Sequence, residues 1–278
     1  MKASKCRGIT WSAADRRFEL TPKGAYLRSD VSGSLRGWAR FMGHDCTWRP
    51  WGHLTYSVRT GRSAFDHVFG TGIFDYIGEH PDAAAVLNDA MTALSTTEST
   101  AIAEAYDFSR IRTLVDVGGG HGYLLATIAK RNPGMRGILF ELPHAVPGAN
   151  DLFRREGLGD RCSALGGDFF EGVPPGGDGY IMKLVLHDWD DKCASQILRN
   201  CHRVTQPGDR LLVVERVISA DDESDIGKLN DLEMLVLTAG GRERTEADFR
   251  GLYERAGFDL TRVVSTASTK CIIEGVRK

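Results

Sequence analysis

His187, Glu215 and Glu243 are the side chains with the plainest chemistry to offer. An imidazole titrates near neutrality, so it can take a proton and later release it. It needs a neighbour to fix its tautomer and orientation, and a carboxylate serves. His187 opens the triplet His187-Asp188-Trp189, directly after an apolar run at 180–186 that only Lys183 interrupts. Glu215 stands near the end of a second apolar run, 210–217, and Glu243 lies in the turn GGRERT at 240–245. A lone histidine also serves structure, and Asp188, Asp190 and Asp191 suit the start of a helix. Nothing near these residues completes a recognisable set of metal ligands, so no metal is expected.

A second feature is TLVDVGGGHGY, 113–123, in which glycines alternate at Gly118, Gly120 and Gly122. A β-branched run stops in glycines and an apolar helical segment follows, which reads as strand, tight turn, helix. Glycine lets the backbone adopt positive φ and approach a flat ligand closely. A dinucleotide fingerprint would be GxGxxG with a later acid. Here the spacing is one residue tighter, but the acid is present: GILFEL, 137–142, ends in Glu141 and Leu142. A carboxylate at a strand tip can accept from both ribose hydroxyls, so a nucleoside fits without a pyrophosphate. The nucleoside of S-adenosylmethionine is the natural candidate. Asp168 and Phe169 suit the amine and the face of an adenine, or else a cap and a core aromatic. Lys183, in a buried strand, needs either a ligand carboxylate or an internal ion pair.

These residues require elements to position them. Strands are expected at 112–117, 137–142, 163–166, 180–186, 210–217, 258–265 and 270–276. Helices are expected at 121–131, 144–156, 190–204, 228–239 and 246–256, with a polar loop at 219–226. Alternation of this kind predicts a doubly wound α/β domain with ligands at the carboxyl ends of its strands. Each tip is polar or aromatic: Gly118–Gly120, Glu141, Asp168-Phe169, His187-Asp188-Trp189 and Glu215. Ahead of it, 63–105 is rich in helix signals, with an alanine-rich stretch at 82–105. Met91 in that stretch is either core or a pocket liner. Residues 1–62 predict a strand and helix at 17–29 and a helix at 34–42. They carry Trp38, Phe41, Trp48 and Trp51, which need a partner surface within or between chains.

Of the 278 residues 42% are apolar and 26% charged, with a net charge of −2. No nucleic-acid footprint is visible, no apolar run is long enough to span a membrane, and the N-terminus has no signal-peptide core. The six cysteines are scattered without a CxxC, which fits reduced thiols in a cytoplasm.

DVGGGHG, FELPHA, GDFFEGVP, MKLVLHDWDD, LLVVERV and GGRERT, in this order, resemble the small-molecule O-methyltransferases of the caffeate/hydroxyindole type, including bacterial antibiotic-tailoring enzymes. The resemblance is strong over 63–278 and looser over 17–62. It implies a Rossmann-like S-adenosylmethionine-binding catalytic domain at 106–278 with helices on both faces of its sheet. Helices at 63–105 would link it to a shortened, mostly helical winged-helix dimerisation region at 1–62. Gly118, Gly120, Glu141, Leu142, Asp168, Phe169 and Lys183 would hold the methyl donor, which leaves as S-adenosylhomocysteine. His187 would be the general base, oriented by Glu215 and Glu243. Met91, Asp188, Asp231, Met234 and Leu235 would line the pocket of a small aromatic hydroxyl acceptor. Relatives are homodimers, and the short N-terminal region puts that assembly in question here. On the same scaffold, hydroxylation, decarboxylation or a non-catalytic cofactor-binding role are alternatives.

Overall fold

The computed structural model describes residues 10–12, 18–31, 33–221 and 225–278. Most of the stretch read for a signal peptide, the first residue of the predicted 17–29 segment, and 222–224 of the predicted loop lie outside the described residues. In chain order come β1 Thr10–Ser12, β2 Phe18–Leu20, α1 Pro22–Ala25, α2 Arg36–Met42, α3 Asp45–Trp51, α4 Leu54–Thr60, α5 Ala64–Phe69, α6 Ile73–Glu79 and α7 Pro81–Ala105. The sheet domain follows with β3 Thr113–Val117, α8 Tyr123–Arg131, β4 Arg136–Glu141, α9 Val146–Arg155, β5 Cys162–Gly166 and β6 Gly179–Lys183. It closes with α10 Asp191–Val204, β7 Arg210–Glu215, α11 Ile226–Leu237, α12 Glu246–Ala256, β8 Phe258–Ser265 and β9 Cys271–Arg277.

The main sheet runs β5-β4-β3-β6-β7-β9-β8. Neighbours from β5 to β7 are parallel, and β9 is antiparallel to both β7 and β8. Strand order reverses between β3 and β6, which opens a crevice at their carboxyl ends. The two-residue period of a strand divides the core. Leu114, Ile181, Leu212 and Ile272 pack with α8 and α9 on one face. Val115, Tyr180, Met182, Leu211 and Ile273 pack with α10 and α12 on the other. Helices therefore cover both faces, as the apolar runs predict.

A third cluster joins α2, α3, α5, α6 and α7 to Val236 and Leu237 of α11. Trp38 and Trp51 pack against it, whereas Trp48 is 68% exposed. The aromatics of this region thus divide between an internal surface and an open one. Pro81 starts α7 and Asp82 sits in its first turn, where proline lacks no needed donor and an acid meets the helix dipole. Where α2 crosses α7, a Cβ on Gly37 would stand 2.6 Å from the Asp89 carbonyl oxygen, so only glycine permits that approach.

The fourth predicted strand is shorter than its apolar run. It stops at Lys183, Leu184 takes φ 56°, and Leu186–Asp188 form a 3-10 turn. The Leu184 amide donates to Val214 at 3.1 Å, which holds this left-handed residue in place. No helix among the described residues is long and apolar enough to cross a membrane.

Candidate active site

The 3-10 turn delivers His187 to the crevice, buried between β6, β7 and the turn after α11. Its Nδ1 lies 3.3 Å from Glu243 Oε1, and Nε2 lies 3.5 Å from Asp188 Oδ1. Glu215 reaches the main chain, not the ring: its Oε1 accepts from the amides of Leu186 at 2.7 Å and His187 at 3.1 Å. It therefore acts on the imidazole through the backbone and through its charge. Burial pulls the imidazole down, but Asp188, the bond to Glu243 and the charge of Glu215 outweigh it and push its pKa up to about 9. Burial also raises the pKa of Asp188 and Glu215; His187 opposes both shifts and Glu243 adds to both.

Two further side chains brace this group. Asp231 Oδ1 accepts from the Glu243 amide at 2.8 Å, so α11 fixes the turn that carries Glu243. Arg244, fully buried, donates to the carbonyls of Leu186 at 2.7 Å and Trp189 at 2.8 Å and pairs with Asp191 at 2.9 Å. Its planar fork spans the 3-10 turn from both ends, a geometry that lysine cannot supply.

The glycine turn opens opposite. Gly118, Gly120 and Gly122 all have positive φ. A Cβ on Gly118 would strike Val185 at 2.9 Å and one on Gly119 would strike Asp116, whereas at Gly120 it would meet nothing within 4 Å. Glu141 bridges to this turn, accepting from the Gly120 amide at 2.9 Å and from Leu142 at 2.8 Å. Asp168 accepts from the Phe170 amide at 2.8 Å, and the Phe169 ring lies beside Gly118. Beneath the turn, both oxygens of the buried Asp116 lack a partner. Burial raises its carboxyl to about 7, opposed by Lys183 and reinforced by Glu141. A glycine cradle over an orphaned acid suits a ligand that is flat at one end and positively charged at the other, as S-adenosylmethionine is.

Lys183 pairs with Glu98 of α7 at 3.3 Å, both nearly buried; of the two partners the sequence left open, the internal one is present. Met91 packs on the helical cluster, Met234 is buried on α11, and Leu235 beside it is partly buried. Met91 stands on α7, Asp188 on the 3-10 turn, and Asp231, Met234 and Leu235 on α11. No group of His, Cys, Asp and Glu that could hold a metal occurs among the described residues. Sequence reasoning missed Glu98, Asp116, Glu233, Arg244 and Lys270, all buried ionisable groups. Asp116 and Arg244 stand inside quoted motifs, so the signal was a charge within a strand or turn flanked by apolar neighbours. For Glu98, Glu233 and Lys270 no local signal exists.

Residues 51–259 match the profile of the O-methyltransferase domain family. A phenazine O-methyltransferase of Lysobacter antibioticus is 43% identical over 257 residues, which span 92% of this chain and 75% of that one. The solved structure of a mitomycin 7-O-methyltransferase superposes with a TM-score of 0.90 at 39% identity, covering 98% of this chain and 80% of the other. An O-methyltransferase from neocarzinostatin biosynthesis, solved with S-adenosylmethionine and 2-hydroxy-5-methyl naphthoic acid, gives a TM-score of 0.84 at 31% identity, covering 98% and 81%. The chain belongs to the O-methyltransferase domain family and is an S-adenosylmethionine-dependent O-methyltransferase.

Proposed function

We propose that this enzyme methylates a hydroxyl of an aromatic small molecule of secondary metabolism, with His187 as general base. The observation that carries the reading is the His187–Glu243 contact at 3.3 Å at the carboxyl edge of the sheet. Glu243 holds Nδ1, and Nε2, 3.5 Å from Asp188 Oδ1, meets the acceptor hydroxyl. Nε2 takes the hydroxyl proton as that oxygen forms its new bond to carbon, and the resulting imidazolium is stabilised by Glu243 and Asp188. When bound, S-adenosylmethionine supplies an electrophilic methyl group on a sulfonium and leaves as S-adenosylhomocysteine. Gly118, Gly120, Glu141, Leu142, Asp168, Phe169 and Lys183 hold that donor. Met91, Asp188, Asp231, Met234 and Leu235 shape the acceptor side.

Support for an aromatic acceptor comes from relatives whose names or bound molecules are phenazine and naphthoic acid. The reading divides the chain into a dimerisation region at 1–62, linking helices at 63–105 and a catalytic domain at 106–278, and places the enzyme in the cytoplasm. The test is His187→Ala, assayed with labelled methyl donor against a panel of aromatic hydroxyls. Donor binding by calorimetry should persist while turnover falls by ~10²–10⁴-fold. Unchanged turnover removes His187 from the mechanism.

A further inference from the structure

Lys270 opens onto the same sheet edge as the base. Cys271 is the register partner of Glu215, so Lys270 stands one residue beyond the tip of β7. It is 5% exposed. Its amide donates to Ser268 at 3.1 Å and its carbonyl accepts from Thr266 at 2.7 Å, which fixes the main chain. Its ammonium has no ion-pair partner among the described residues. The carboxylates whose charge bears on it are Glu98, Glu243 and Glu233, and the cations are Arg216 and Lys183. Two of these carboxylates are committed elsewhere, Glu98 to Lys183 and Glu243 to His187, each at 3.3 Å. Burial accordingly lowers the Lys270 pKa.

On α11, Glu233 is 7% exposed and its Oε1 is buried without a partner. The charges that bear on it are those of His187, Glu243 and Lys270. Two opposite charges thus stand buried on the base side of the crevice, each bearing on the other but neither within ion-pair distance of a partner among the described residues, an arrangement that folding alone does not favour.

We infer that Lys270 and Glu233 read the acceptor, and that the aromatic hydroxyl compound taken by this enzyme carries a carboxylate. The Lys270 ammonium holds that carboxylate, and Glu233 accepts from a hydrogen-bond donor on the same molecule, such as an amine. The inference rests on the acceptor site proposed above and names the chemical class of its ligand.

The experiment titrates 3-hydroxy-2-naphthoate and its methyl ester into the full chain saturated with S-adenosylhomocysteine, followed by calorimetry. Wild type binds the acid at least about tenfold more tightly than the ester, the effect of one charge-assisted hydrogen bond. Lys270→Met erases that preference, Lys270→Arg keeps it, and both bind S-adenosylhomocysteine as wild type does. Glu233→Gln keeps the acid preference and loses the added affinity for an amino-substituted hydroxynaphthoate. Equal affinity for acid and ester, binding of neither, a preference that survives Lys270→Met, or weakened S-adenosylhomocysteine binding in Lys270→Met overturns the inference. Methyl transfer to an uncharged phenol without any acid preference would remove the pair and leave the proposed function standing.

Discussion

A general base is useful only when it is unprotonated, and His187 sits among carboxylates that push its pKa up to about 9. In the free enzyme kcat/KM should therefore rise with pH through that range. Glu243→Gln removes a carboxylate bonded to Nδ1 at 3.3 Å, so the rising limb should move to lower pH while the plateau falls; a pH–rate profile measures both. A limb that stays in place would detach Glu243 from the imidazole. Asp116 yields a prediction of the opposite kind. Its folded pKa of about 7 exceeds the unfolded 3.8, so its contribution favours the native state at low pH. That contribution is lost as pH rises from 3.8 through 7. Asp116→Asn should leave stability near pH 4 almost unchanged and raise it at pH 8, by up to about 4 kcal/mol, read by denaturant melts of the chain without donor. The His187 and Glu243 partnership was legible because His187 ends an apolar run and Glu243 stands in a glycine-led turn. The Glu98 and Lys183 partnership was not: the pair is 85 positions apart, and an alanine-rich helix reads as apolar stripe whatever one acid on it faces.

Strands and helices of the sheet domain were legible to within a few residues, because buried parallel strands are continuous apolar runs and their helices carry stop signals such as Asn132-Pro133-Gly134. The predicted strand over 180–186 ran three residues too far, since an apolar run does not reveal where a backbone leaves the sheet. Glu215 takes the Leu186 and His187 amides, and Arg244 takes the Leu186 and Trp189 carbonyls. Together they convert the end of that run into a turn. Helix α3 was missed for a different reason. Pro50 lies inside α3, where a proline normally argues against helix. Arg244→Lys should keep the charge and lose the fork. We expect a loss of about 1–3 kcal/mol in stability and a fall in turnover larger than any change in donor affinity, measured by melts, calorimetry and kinetics. Loss of donor affinity in step with turnover would mean that the turn serves the whole crevice rather than the base. At the crossing of α2 and α7, Gly37→Ala forces a Cβ to 2.6 Å from the Asp89 carbonyl. It should cost about 1–3 kcal/mol by overpacking, and a melt unchanged from wild type would show that the crossing yields without strain.

The helical region and the sheet domain share one packing surface, because Val236 and Leu237 of α11 complete the cluster built by α2 to α7. The same helix holds Asp231 on the Glu243 turn. That region also leaves apolar side chains open: Tyr26 and Leu35, with Trp48 at 68% and Val58 at 63% exposure. Indole and valine surface in water is unfavourable at ~25 cal/mol per Å², and exposed apolar patches mark interfaces. We predict that a homodimer through α3 and α4 covers Trp48 and Val58. Light scattering at micromolar concentration should give twice the 30.5 kDa chain mass. Trp48→Glu with Val58→Glu should return the mass to one chain. If α11 transmits the contact, the monomeric variant should keep S-adenosylhomocysteine affinity and lose methyl transfer. A wild-type chain that is monomeric and fully active would show that the helical layer serves the site from within one chain.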